Sequence, residues 1–336
     1  MNDHKPMIPF TVLAILMLAS CMRSPDCFRE DEFCAALVTD TLGIIDHGIN
    51  QDSWAGLQQL KEDGSVDQVA HIESVDTRDY EKNIAYFAQD GFDVIVTSGV
   101  GLRDETLRAA DLYPDTVFIG MDQPQDEARP NLLPVTFAED QMGYLAGVLA
   151  TRLTETRVVG AVCETSGLDS MWRYCEGFRA GATFVDENIK VHVIYRDDGS
   201  SERLFIDDAW GYETAQKLIR RGADVIFAAG GGTGQGALRA ASEEPVNAIG
   251  AERDQAEALG EAGSGVITSI YGRAGYEVQM MIRALRQGNA YGPRVGQFGY
   301  VFLDERFPVA LREELDELLS SLIDGNVQTN VPLQRP

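Results

Sequence analysis

Two rhythms of apolar and polar residues alternate along this chain. Short runs rich in β-branched and apolar residues give way to segments whose apolar side chains recur every three or four positions, the signatures of buried strand and amphipathic helix. The runs at 33–39, 69–72 and 94–97 lead into helical patterns at 50–61, 80–89 and 104–112, and those at 117–120 and 133–137 lead into 141–152. A second series follows: 158–163 then 171–184, 190–195 then 210–220, 225–228 then 234–242, 247–251, and 265–269 then 274–286. Such alternation predicts parallel sheets covered on both faces. The two series break near 154–157 and repeat architecture, not sequence. They predict an α/β fold of two doubly wound parallel-sheet domains, an N-terminal lobe over 33–153 and a C-terminal lobe over 154–270, with a ligand cleft between facing strand ends. Residues 271–336 are expected to complete both lobes with helices and a strand, including an acidic helix at 304–322, and to end in a polar tail.

What precedes the first strand bears on location. Residues 6–20 are apolar but shorter than the roughly 20 residues of a membrane span, and they end in small residues, as a signal peptide does. Leu18-Ala19-Ser20-Cys21 has the form of a bacterial lipobox. The expectation is a lipoprotein signal peptide over 1–20, acylation of Cys21, a tether over 21–32, and a protein anchored by lipid on the extracytoplasmic face of the cell membrane. The competing readings are a buried helix and a plain secreted protein.

Charge and cysteine content agree with export. The 336 residues carry a formal net charge of −25, and Asp3 cancels Lys5, so removing the leader leaves that charge in place. So acidic a surface argues against nucleic acid as a partner. Beyond Cys21 stand Cys27, Cys34, Cys163 and Cys175. Four cysteines allow three connectivities. The local pairs Cys27–Cys34 and Cys163–Cys175 are the simplest, with free buried thiols the alternative. His4, His47, His71 and His192 are scattered and no Cys-x-x-Cys occurs, which argues against a zinc site or a His-based catalytic centre.

The richest stretch for chemistry is 37–57. An apolar strand ends in Asp40, a Gly-containing loop follows, and Asn50-Gln51 opens a helix with Trp54 and Leu57. Loop side chains and helix N–H groups there converge at the carboxyl end of a parallel strand. The glycine-rich run Ala229-Gly-Gly-Gly-Thr-Gly-Gln-Gly236 also lies between strand and helix. It could be read as a dinucleotide or phosphate loop, but it belongs to the second series and the chain has no Gly-Lys-Ser/Thr. It reads better as a cleft loop in which Gly230 and Gly232 allow backbone contact with ligand.

Over residues 35–300 the chain resembles the basic membrane protein (BMP) family, which is similar to type I periplasmic binding proteins. The family's opening, Val-Thr-Asp…Gly-Gly…Asp-(Lys)-Ser-Phe-Asn-Gln-Ser-Ala-Trp-Glu-Gly, stands here as Val38-Thr39-Asp40…Gly43…Asp46-His47-Gly48-Ile49-Asn50-Gln51-Asp52-Ser53-Trp54-Ala55-Gly56. Matching pieces follow in order: Phe137…Gly143-Tyr144-Leu145-Ala146-Gly147, Gly177-Phe178-Arg179-Ala180-Gly181, Phe205…Asp207…Gly211…Glu213, Gly222-Ala223-Asp224-Val225-Ile226-Phe227, Thr233-Gly234-Gln235-Gly236, and Ile249-Gly250…Asp254-Gln255. The best-understood members are purine nucleoside-binding lipoproteins of ABC transporters. The resemblance therefore implies a small-molecule ligand in an interlobe cleft, an ABC permease as partner, and no cofactor, metal or catalysis. It carries Asp40, Asn50 and Asp122 over as polar ligand contacts and Phe205 as the aromatic that stacks on the base.

Three departures bear on the ligand. Ile49 replaces the family's first aromatic, Glu252 replaces an Asp, and the Lys expected after the Thr-Ser of the late strand is missing from Thr268-Ser269-Ile270-Tyr271-Gly272-Arg273, which leaves Arg273 or Tyr271 as substitutes. Trp172, Tyr174 and Trp210 are the aromatics that could replace the missing wall, although each is also explained by packing. The sequence thus reads as a solute-binding protein for a nucleoside-like molecule. A sensory receptor of the same fold and an exported nucleoside-processing enzyme are the alternatives.

Overall fold

The computed structural model describes residues 26–289, 292–301, 303 and 305–336. The leader, Cys21 and the first half of the tether lie outside the described residues. Among those described, no helix is long and apolar enough to cross a membrane.

The first series folds as β1 (Cys34–Thr39), α1 (Ile49–Glu62), β2 (Gln68–Glu73), α2 (Tyr80–Gln89), β3 (Val94–Ser98), α3 (Arg103–Leu112), β4 (Val117–Met121) and β5 (Leu132–Thr136). After α4 (Glu139–Leu153) the second runs β6 (Val158–Cys163), α5 (Asp169–Val185), β7 (Lys190–Tyr195), α6 (Asp208–Arg220), β8 (Val225–Ala229), α7 (Gly231–Ser242), β9 (Asn247–Ala251), α8 (Gln255–Leu259) and β10 (Val266–Gly272). The chain closes with α9 (Ala274–Arg286), β11 (Arg294–Val295), β12 (Phe298–Tyr300) and α10 (Val309–Ile323). Among the described residues there are two six-stranded sheets, ordered β2-β1-β3-β4-β5-β11 and β7-β6-β8-β9-β10-β12. Only the β10–β12 pair is antiparallel. In each sheet the order reverses beside the first strand of its series, at β1/β3 and at β6/β8, which opens a crevice at the carboxyl ends of those strands.

The unbroken apolar character of the strands follows from burial on both faces. In β1, Ala35 and Leu37 face one core cluster while Cys34, Ala36 and Val38 face another. The first of these clusters runs continuously from Leu37, Val96 and Ile119 to Phe178, Phe227 and Ile249 of the second lobe. The rings of Phe178 and Phe227 stack at 5.2 Å.

Four features differ from the sequence expectation or add to it. First, α4 packs on α5 and on β8, β9 and β10, so the chain passes to the second lobe before this helix, whereas the rhythm breaks after it. Second, α9 returns to pack on α1. Third, α10 begins at Val309, not 304, because Pro308 lacks an N–H and disfavours helical backbone in the residue before it. Fourth, β11 and β12 are two and three residues long, too short to show a period of two in the sequence.

The α4–α5 contact is backbone on backbone. A Cβ added at Gly143 or Gly147 would overlap the carbonyl of Tyr174 or Phe178, and one added at Gly177 or Gly181 would overlap that of Asp140 or Tyr144. Disulfides join Cys27 to Cys34 at the start of β1 and Cys163 at the end of β6 to Cys175 in α5. The second bridge closes a loop of 12 residues. Its loss in a Cys163→Ala/Cys175→Ala double variant is expected to lower unfolding free energy by about 3 kcal/mol, measured by urea titration against the parent protein.

Candidate ligand-binding site

The carboxyl ends of strands from both sheets meet around one cavity of about 140 Å³. Asp40 follows β1, Gly99 follows β3 and Asp122 follows β4. From the second lobe come Glu252 after β9, Gly231 after β8, and Phe205 from the loop ahead of α6. The amino-terminal turns of the two closely packed helices add Glu139 and Met142 from α4 and Met171 and Tyr174 from α5.

Local geometry explains how each polar group is held. The Asp40 carboxylate accepts from Asn50 Nδ2 at 2.9 Å and from the Leu42 N–H at 3.0 Å. It occupies space that only glycine leaves free: Gly99 has φ +105, and a Cβ there would lie 2.6 Å from Asp40 Oδ2. Asp46 caps α1 by accepting from the N–H groups of Gly48, Asn50 and Gln51 at 2.9–3.1 Å. Glu252 accepts the Gly231 N–H at 2.7 Å. Glu139 is paired with Arg173 at 2.5 Å.

Burial raises the pKa of every one of these carboxyls. Asp40 is pushed up to about 6 by desolvation, which outweighs its bond from Asn50. Glu252 is pushed up to about 7 despite the backbone N–H groups it accepts. Asp46 and Glu139 rise for the same reason, the latter in spite of Arg173. Asp122 stands well above the usual carboxylate range through desolvation first and the neighbouring Glu139 second.

Behind the second-lobe wall lies a buried ionic network. Glu164 follows β6 and accepts from Arg196 Nη1 at 3.0 Å, from the Phe205 N–H at 2.9 Å and from Thr233 Oγ1 at 2.6 Å. Arg196 also donates to Asp207 at 3.0 Å and to the Ser200 carbonyl at 2.8 Å. The network holds Phe205 at φ +62, a left-handed conformation that is an outlier for a bulky residue. Asp122 at φ +55 and Glu252 at φ +70 share it. Unusual backbone thus collects on the cavity wall, where surrounding contacts maintain it.

The structure brings Asp40, Ile49, Asp122, Phe205 and Glu252 to the cavity. Asn50 stands behind Asp40 and donates to it and to the Gly43 carbonyl. Within the glycine-rich run Gly231 forms the wall, while Gly230 is the left-handed cap of α7 packed on Glu164, and the Gly232 N–H donates to the Phe205 carbonyl. Arg273 is exposed, caps α9 and does not line the cavity. Of the three aromatics weighed as replacements, Tyr174 lines the cavity and Trp172 and Trp210 do not. Sequence reading passed over Asp46, Glu139, Met142 and Met171. The sequence signal of Glu139, Met142 and Met171 is only position at the start of a helix, whereas Asp46 stands in the motif quoted for residues 38–56.

The sequence model of the family described as "ABC transporter substrate-binding protein PnrA-like" matches residues 34–298. The chain belongs to this Bmp family. It is 31% identical over 244 residues to a CD4+ T-cell-stimulating antigen of Listeria innocua, covering 69% of this chain and 66% of that one, so it spans just under two thirds of that relative's length. It is 31% identical over 264 residues to the ABC transporter nucleoside-binding protein BmpA of Lactococcus lactis, covering 74% and 72% of the two chains. A solved ABC transporter solute-binding protein from Conexibacter woesei superposes with a TM-score of 0.72 at 23% identity, over 90% of this chain and all of that one, a likeness of fold.

Two outcomes follow from the electrostatics. Because Asp40 has a raised folded pKa, its contribution to stability is full below about 4 and lost as pH rises through about 6. Asp40→Asn is therefore expected to stabilise the ligand-free protein by on the order of 1 kcal/mol at pH 8 and by little near pH 4, read from urea midpoints at both pH values. Arg196→Leu leaves Glu164 and Asp207 buried without their cation and is expected to cost about 3–5 kcal/mol in the same assay.

Proposed function

We propose that this protein is the extracytoplasmic solute receptor of an ABC transporter, anchored through Cys21, and that it binds a purine nucleoside or related small molecule in the interlobe cavity. One observation carries the reading. Asp40, Asp122, Glu252 and Phe205 converge on a single cavity from strand ends and loops of both lobes. A ligand touching both lobes stabilises the arrangement in which they close on it, and a permease that recognises this form receives loaded protein in preference to empty protein. Phe205 offers a ring face for a base, a contact worth about 1–3 kcal/mol. Half-buried carboxyls on the wall give directional acceptors for ribose hydroxyls and base N–H groups. The nucleoside-binding relative of Lactococcus lactis supports the ligand class.

The test is isothermal titration of protein that has been unfolded and refolded to strip co-purified ligand, with guanosine, inosine and adenosine. The expected result is one-to-one binding that weakens by about tenfold or more in Asp40→Ala and in Phe205→Ala, a loss of about 1.4 kcal/mol each. Absence of heat with all three nucleosides from folded protein would overturn the ligand class.

A further inference from the structure

This inference rests on the reading that the cavity binds a solute, and it concerns the charge that solute carries. Apart from Tyr174, every titratable side chain on the wall is a carboxyl: Asp40, Asp46, Asp122, Glu139 and Glu252. Among the described residues, no Lys, Arg or His lines the cavity. Two of the surrounding cations are committed elsewhere. Arg173 holds Glu139 and the Leu333 carbonyl. Arg196 is sealed between Glu164 and Asp207. Arg253 is 4.0 Å from Glu257 and keeps one buried guanidinium nitrogen without a hydrogen bond, but it does not line the cavity, and Arg273 is exposed.

The carboxyls differ in what satisfies them. Asp46 accepts three backbone N–H groups, Asp40 has Asn50 and Leu42, Glu252 has Gly231, and Glu139 has Arg173. Asp122 has no hydrogen-bond or ion-pair partner among the described residues, and it stands at φ +55 with its carboxyl on the wall. An anionic solute would add repulsion to this acidic wall, and a neutral one could reach Asp122 through a hydrogen bond but would leave the charge of its ionised form without a counter-ion. A cation would satisfy it. The remaining wall suits the body of such a ligand. The rings of Phe137, Tyr174 and Phe205 and the thioethers of Met142 and Met171 are soft, polarisable surfaces, and aromatic faces attract cations.

We propose that the solute bound here is an organic cation built on a flat ring, such as a nucleoside bearing a quaternised base or an ammonium group, and that Asp122 receives its positive charge. The expected preference is about tenfold or more over the neutral parent.

The experiment titrates stripped protein at about pH 7 with adenosine, 1-methyladenosine and 5′-amino-5′-deoxyadenosine, the last two being cations there. At least one cation is expected to bind about tenfold or more tightly than adenosine. Asp122→Asn keeps the shape and tolerates left-handed backbone, and it is expected to bring that ratio to near unity. Adenosine binding as tightly as both cations, or a ratio unchanged in Asp122→Asn, overturns the proposal. If none of the three binds, the nucleoside reading fails on its own, and charge is then read with tryptamine against indole-3-acetate. Tryptamine binding that is lost in Asp122→Asn upholds the cation proposal, and no binding of tryptamine overturns it.

Discussion

Where α4 meets α5 no side chains separate the two backbones. Gly143 and Gly147 on one helix and Gly177 and Gly181 on the other let each lie against the carbonyls of its partner. So close an approach fixes the pair as a rigid unit, because any larger residue at these four positions drives the axes apart. The consequence is felt at the cavity. Both helices start there, and their first two turns supply Glu139, Met142, Met171 and Tyr174. The Arg173–Glu139 pair joins the two helices at their starts, and the Cys163–Cys175 bridge ties the unit to the end of β6. The crossover helix between the lobes thus doubles as one wall of the site.

Against that rigid wall the cavity stores electrostatic cost. Glu139 is buried and four other carboxyls are half-buried on the wall, and among the described residues Arg173 is the one cation paired to any of them. Three wall residues that are not glycine adopt left-handed backbone. Both features lower the stability of the empty protein, and both are maintained by partners outside the cavity: Asn50 behind Asp40, Glu164 and Arg196 behind Phe205, and glycines at 99, 230 and 231 that leave room. Groups left desolvated when empty are the ones that gain most from a complementary ligand, so the binding energy is prepared in the folded state.

Much of this was legible in the chain. The strand and helix rhythm is strong because parallel strands buried on both faces must be apolar throughout, and Asp40 could be named from its place at a strand end, whereas Asp122 and Glu252 were named through the family resemblance. Glu139 and Met171 could not, because they sit on the wall through the α4–α5 contact, whose glycines show as small residues without naming their partner. Arg273 shows the opposite failure. It is next to a wall residue in sequence, but Gly272 ends β10 and the turn into α9 carries the guanidinium out to solvent. The lobe boundary was displaced for a related reason: a helix pattern does not say which sheet the helix packs on.

The change at Gly272 and the aromatic wall are one structural fact. A Cβ at position 272 would fall within the ring of Phe137, so no side chain of any kind fits there while Phe137 holds its present place. Loss of the lysine that the resembling family carries near this point therefore does more than remove a charge. It admits an aromatic ring to the wall and leaves the acidic groups opposite without a resident counter-ion. Glu252, one methylene longer than aspartate, reaches back to the Gly231 N–H and so anchors the glycine turn against which Phe205 packs. These differences point the same way, toward a pocket whose apolar body is made by protein and whose missing positive charge is left to the ligand.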